Sequence, residues 1–150
     1  MSTSSSSETK LPREELDNLV RVRKLKAEPA EPEEIRGLLH SGLVRLKDAR
    51  NTSLSLESRF DLAYNAAHAL SLAALRLLGY RSDSRYLVFQ CLQHTVDLPS
   101  EQWRVLDLAH DKRNLGEYQG DLDVSKQLVE AVIRVTNEIG KRVRAAAAQL

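Results

Sequence analysis

Between Leu108 and Gly120 the chain reads Leu-Ala-His-Asp-Lys-Arg-Asn-Leu-Gly-Glu-Tyr-Gln-Gly, and here it concentrates residue types that do chemistry. Residues three and four apart share a helix face, so His110, Arg113, Asn114, Glu117 and Tyr118 project together if the segment is helical. A guanidinium donates paired hydrogen bonds that match a phosphate, and an imidazole moves protons near neutral pH. The spacing therefore describes a phosphate-reading or proton-moving face. Its plain alternative is a solvated helix end, with Arg113 paired to Glu117 or Asp61 and Tyr118 a half-buried cap on the bundle. A second polar strip, Asp61, Asn65 and His68, interrupts an apolar segment. It is either the solvent edge of that segment or a lining aimed at the 108–120 face. The candidate catalytic residues are thus Arg113, His110 and His68. The candidate ligand-binding residues are Arg113, Asn114, Tyr118, His110, Asp61 and Asn65.

These residues need a scaffold, and the composition limits what it is. A chain of 150 residues, 42% of them apolar and only ten of them Gly or Pro, has enough apolar surface for one domain with a sizeable core. A net charge of +1 argues against coating nucleic acid by charge alone, though not against a local basic site. The single cysteine, Cys91, cannot form an internal disulfide or a cysteine-based metal cluster, which points to a reducing cytoplasm. Neither a metal nor a cofactor is expected. Cys91 and His94 read as packing and surface residues, without partner ligands nearby. The Ser/Thr-rich start lacks the apolar stretch of a signal peptide, and the most apolar run, 66–78, is too short and polar to span a bilayer.

The periodicity predicts helices throughout. Residues 1–10 read as a disordered tail. Leu11-Pro12 opens a helix to about 27, with Leu16, Leu19, Val20 and Leu25 as its apolar stripe and a basic run, Arg21 to Lys26, at its C-terminal end. Prolines 29 and 32 make a linker, so 11–32 is set apart from a bundle over 33–150. Within the bundle, Ile35, Leu38, Leu39, Gly42, Leu46 and Ala49 form one stripe. The segment 54–78 is apolar around most of its circumference and belongs at the centre. A helix over 84–96 turns Tyr86, Phe89, Leu92 and Val96 inward. Pro99 and Glu101 start the helix that carries the 108–120 face, with Trp103, Leu106 and Ala109 on its core side. Gly116 lies inside that helix, where it costs about 1 kcal/mol relative to Ala, so a close backbone approach is expected there. A last helix, 123–148, follows with Leu128, Val132, Val135, Ile139 and Val143. The expected fold class is all-α, an up-and-down bundle of four main helices plus one or two flanking ones.

The order of these helices, with Arg113-Asn114 late in one of them and an aromatic, Tyr118, following, resembles the HEPN domain (higher eukaryotes and prokaryotes nucleotide-binding). Ala63-Tyr-Asn-Ala-Ala-His68 and Leu78-Gly-Tyr-Arg81 add to the likeness, which covers residues 33–148 and is closest to small stand-alone bacterial members. The resemblance implies a homodimer whose motif faces line a cleft. It implies either a nucleotide- or RNA-binding module, a structural subunit, or a metal-independent ribonuclease toxin paired with a small nucleotidyltransferase. The ribonuclease signature places a histidine four to six residues after the arginine, and here Tyr118 fills that position. A tyrosine of ordinary pKa near 10 is a poor base at neutral pH, so the expectation is a phosphate-binding face with little or no catalysis, unless His110 or His68 supplies the base.

Overall fold

Ser55 and Gly79 bracket the helix around which the others pack. In the computed structural model, which describes residues 13–149, the Ser55 hydroxyl accepts the Ser58 N–H at 3.1 Å. Gly79 leaves the helix in the left-handed region at φ +91°, where a side chain would be strained. The helix between them, α3 (Leu56–Leu78), buries Phe60, Ala63, Tyr64, Ala67, Leu70 and Ala74 along one stripe and Ala66, Ala69 and Ala73 beside it. Its many alanines let neighbours come close. Against it lies α2 (Pro32–Ala49), where a Cβ at Gly42 would stand 2.6 Å from Leu70 Cγ. On another side lies α7 (Lys126–Ala147), with Val129, Val132, Val135, Ile139 and Val143 buried. The fourth long helix, α6 (Ser100–Gln119), closes the bundle through Leu106, Ala109 and Gly116. The protein is an all-α helical bundle with four main helices. Among the described residues no helix is long and apolar enough to cross a membrane.

The remaining elements flank this bundle. The first described helix, α1, spans 13–21. Its Leu16, together with Leu25, joins Leu75, Tyr80, Val88 and Cys91 in a second core cluster, so α1 packs on its own bundle. The expected helix to residue 27 stops early, because Arg23 adopts φ +64° and breaks the repeat. The basic run Arg21–Lys26 therefore crosses a turn and does not cap a helix. It leads into β1 (Lys26–Ala27), which pairs antiparallel with β2 (Tyr80–Arg81), Lys26 opposite Arg81. No alternation in the sequence announces so short a ladder. The expected helix over 84–96 is two helices, α4 (Arg85–Gln90) and α5 (Leu92–Thr95), parted at Cys91. Phe89 and Leu92 do point inward, but Tyr86, expected with them, is 46% exposed. Gly116 meets its expected close approach, since a Cβ there would lie 2.9 Å from Leu122 Cδ1. The 1–10 tail and the Leu11-Pro12 helix start lie outside the described residues.

Arg76 ties the flanking segment to the bundle. Its guanidinium is fully buried and bonds the Glu34 carboxylate at 2.8 Å, the Glu28 carbonyl at 2.9 Å, the Pro29 carbonyl at 2.7 Å and the Tyr80 carbonyl at 3.2 Å. Arg81 adds ion pairs to Glu28 and Glu34. A buried charge persists only when it is paired and hydrogen-bonded in this way.

Candidate functional site

The inward face of α3 and the late turns of α6 meet at Tyr64 and His110. Tyr64 is fully buried. Its hydroxyl oxygen lies 2.7 Å from His110 Nδ1, and the two rings stack at 6.2 Å between centroids. One turn further along α6, the Asn114 amide nitrogen lies 3.2 Å from His110 Nε2. With that amide donating, Nε2 is the unprotonated ring nitrogen, the ring proton sits on Nδ1, and the Tyr64 oxygen accepts it. The imidazole is thus fixed at both nitrogens. Phe89 walls the pair from below, edge-on to Tyr64 at 5.7 Å and to His110 at 6.4 Å.

Two guanidinium groups converge on the same phenol. Arg113 of α6 places its Cζ 5.0 Å from the Tyr64 ring centroid, and Arg85 at the start of α4 places its own 5.4 Å away. Arg85 is steadied by a 3.0 Å bond to the Asn65 side-chain oxygen, and Asn65 in turn donates to the Asp61 carbonyl at 2.8 Å. Arg113 has one carboxylate partner, Glu117 at 3.2 Å, a largely exposed i,i+4 pair of the kind worth about 0.5 kcal/mol or less. Among the described residues Arg85 has no carboxylate within ion-pair distance.

The neighbours register this positive field. Burial pushes the Tyr64 hydroxyl above its ordinary pKa, while Arg85 and Arg113 pull it the other way by favouring the phenolate. His68, half-buried one turn along α3, is lowered to about 4, first by burial and then by repulsion from Arg85 and Arg113. It is neutral at physiological pH and packs edge-on against Phe89 at 6.2 Å.

The residues singled out by spacing divide into three groups. His110, Arg113, Asn114, Asn65 and His68 gather around Tyr64, so the α3 strip does face the 108–120 segment. Asp61 instead lines a separate, open groove of about 370 Å³ with Arg113, Glu57, Glu117 and Asp121, whose carboxylates disfavour an anion. Tyr118 stands away from both, 91% exposed. Two residues central to the arrangement escape a spacing argument. Tyr64 enters the sequence only within Ala63-Tyr-Asn-Ala-Ala-His68, one turn before His68, and not as a site candidate. Arg85 follows a turn and belongs to no periodic pattern, so only the fold brings it to Arg113. Elsewhere, burial pushes the Cys91 thiol up to about 12, which leaves it an unreactive packing residue. Among the described residues no group of His, Cys, Asp and Glu is arranged to hold a metal ion. Compared with family models, with curated proteins and with solved structures, the chain matches none.

Proposed function

We propose that the face formed by α3, α4 and α6 binds the phosphate of a nucleotide or RNA, as the HEPN resemblance implies, with Arg85 and Arg113 as the phosphate ligands. One observation carries this reading: two arginines converge on a neutral phenol, and among the described residues the one ion pair either makes is that of Arg113 with the exposed Glu117. Two cations facing the same phenol ring make a positive field that attracts an anion. The planar fork of each offers a phosphate two hydrogen bonds. The second hydrogen of the Asn114 amide adds a donor at the rim. In titrations followed by calorimetry or NMR, Arg85→Ala and Arg113→Ala should each weaken phosphate-ligand affinity about 10- to 100-fold, the equivalent of losing a charge-assisted bond. Unchanged affinity in both folded variants would sink the proposal.

A second reading, a metal-independent ribonuclease, draws on the 2.7 Å contact between Tyr64 and His110 beside the two arginines. Here His110 would move the proton and Arg113 would stabilise the charged phosphorane. His68 is a weak base at a pKa of about 4 and does not suit the role. Expression in growing cells separates the readings. Toxicity and RNA cleavage that vanish in both His110→Ala and Arg113→Ala establish the enzyme, whereas binding without either favours the non-catalytic module. A nucleotidyltransferase-type partner belongs to the ribonuclease reading.

The same proposal takes the chain as a homodimer. Leu108 and Leu115, 54% and 49% exposed, lie seven residues apart on the outward face of α6, with Asp111 and Lys112 between them. An antiparallel two-fold pairing of α6 sets each leucine against the other and each Asp111 against a Lys112, which makes the face self-complementary.

A further inference from the structure

We infer that Tyr86 is the base-stacking residue of this site, so that its ligand must present an unpaired base together with its phosphate. The inference rests on the phosphate reading of Arg85 and Arg113 and adds to it the part of the ligand that neither arginine touches. Tyr86 follows Arg85 directly at the start of α4. Its ring lies 6.2 Å from the His110 ring, tilted by 37°, while nearly half of the residue remains open to solvent. Its helical spacing would place it inward with Phe89 and Leu92, which are buried. Tyr86 instead is backed by an imidazole that Tyr64 and Asn114 hold in place.

A fixed aromatic face beside a pair of cations matches the two ends of a nucleotide, base and phosphate. Stacking on tyrosine accepts any base because every base has a π-face, but it requires that the base be free of its partner strand. Duplex RNA offers its phosphates without an accessible base face. A ligand that carries phosphate alone leaves the ring unused. The site therefore selects single-stranded RNA or a free nucleotide over a duplex and over a bare sugar phosphate.

The test compares ribose phosphate, adenosine monophosphate, a short single-stranded RNA and its duplex, each titrated into wild type, Tyr86→Ala, Tyr86→Trp and Arg113→Ala. Tyr86→Ala should weaken the monophosphate and the single strand roughly 5- to 100-fold and leave ribose phosphate unchanged, while Tyr86→Trp retains binding. Arg113→Ala should weaken all of them. If Tyr86→Ala leaves the base-bearing ligands unchanged, or if the duplex binds as tightly as the single strand, the stacking role is overturned and the phosphate site stands. If Tyr86→Ala weakens ribose phosphate equally, the residue supports the fold and does not read a base. If no phosphate compound binds wild type, both readings fall together. The single strand and the monophosphate, compared in wild type, distinguish a polymer ligand from a free nucleotide.

Discussion

Burial keeps the Tyr64 hydroxyl neutral at pH 7 against the pull of two guanidinium groups, and keeps the His68 imidazole neutral with their help. For His68 the consequence is a pH-dependent stability. Its pKa falls from 6.5 to about 4 on folding, so between those values the unfolded chain binds a proton that the folded chain refuses. Acidification in that window favours unfolding; the contribution is fully present above the unfolded value and is lost as the pH falls towards 4. Its ceiling is about 3 kcal/mol, and less is realised because the ring is partly open to water. Urea unfolding at about pH 7 and about pH 4.5 should show wild type losing some 2 kcal/mol more than His68→Leu over this interval. Equal losses in the two proteins would show that His68 gains its proton as readily folded as unfolded. Glu34, held below the ordinary carboxylate range by its bonds to Arg76 and then Arg81, also loses its contribution on acidification. It does so in both proteins and cancels in the comparison.

Among the elements, the segment from α1 to the first turn of α2 depends on one buried side chain. Arg76 satisfies the carbonyls of Glu28, Pro29 and Tyr80 and the carboxylate of Glu34, and the Glu28 N–H donates to the Gly79 carbonyl at 2.9 Å. The two prolines that read as a linker therefore do not set α1 free; a guanidinium from α3 grips the backbone at Glu28 and Pro29. Arg76→Met removes the charge and leaves three carbonyls without their donor. The expected cost is about 3–5 kcal/mol in denaturant unfolding, the range seen when one partner of a buried pair is deleted. Hydrogen exchange should then accelerate most at Leu25 and Glu28, whose N–H groups bond Leu19 and Gly79 at this end of the bundle. Uniform acceleration across α3 and α7 would mean that Arg76 supports the whole core and not this segment in particular.

For the molecule as a whole, α6 carries apolar residues on two faces. Leu106 and Ala109 go inward, and Leu108 and Leu115 stay open. If a second copy covers the outward face, wild type should sediment as a concentration-dependent dimer and Leu108→Glu as a monomer with an intact helical spectrum. A monomeric wild type at high concentration would remove the dimer from the proposed function and leave the phosphate site, which lies within one chain, untouched.

Periodic burial was legible along the chain because it is a local property. The stripes of α2, α3 and α7 and the all-α class follow from which residues recur at helical spacing, and the close approach at Gly116 from a glycine kept inside a helix. So did much of the site, since His110, Arg113 and Asn114 share one helix face and Asn65 and His68 another. Residues whose role depends on contacts far along the chain were not legible. Tyr64 and His110 are 46 positions apart, and Arg85 is 20 from the Asn65 that steadies it. Arg76 finds the Glu28 and Pro29 carbonyls 48 and 47 positions away. Tyr86 turned outward because α4 ends at Gln90, too short a helix for periodicity to orient. Sequence by itself determined which surfaces had to be hidden from water, because apolar spacing is written residue by residue. Only tertiary structure decided which polar groups meet, because a hydrogen bond needs a partner placed within a few ångströms, and helix packing supplies that placement.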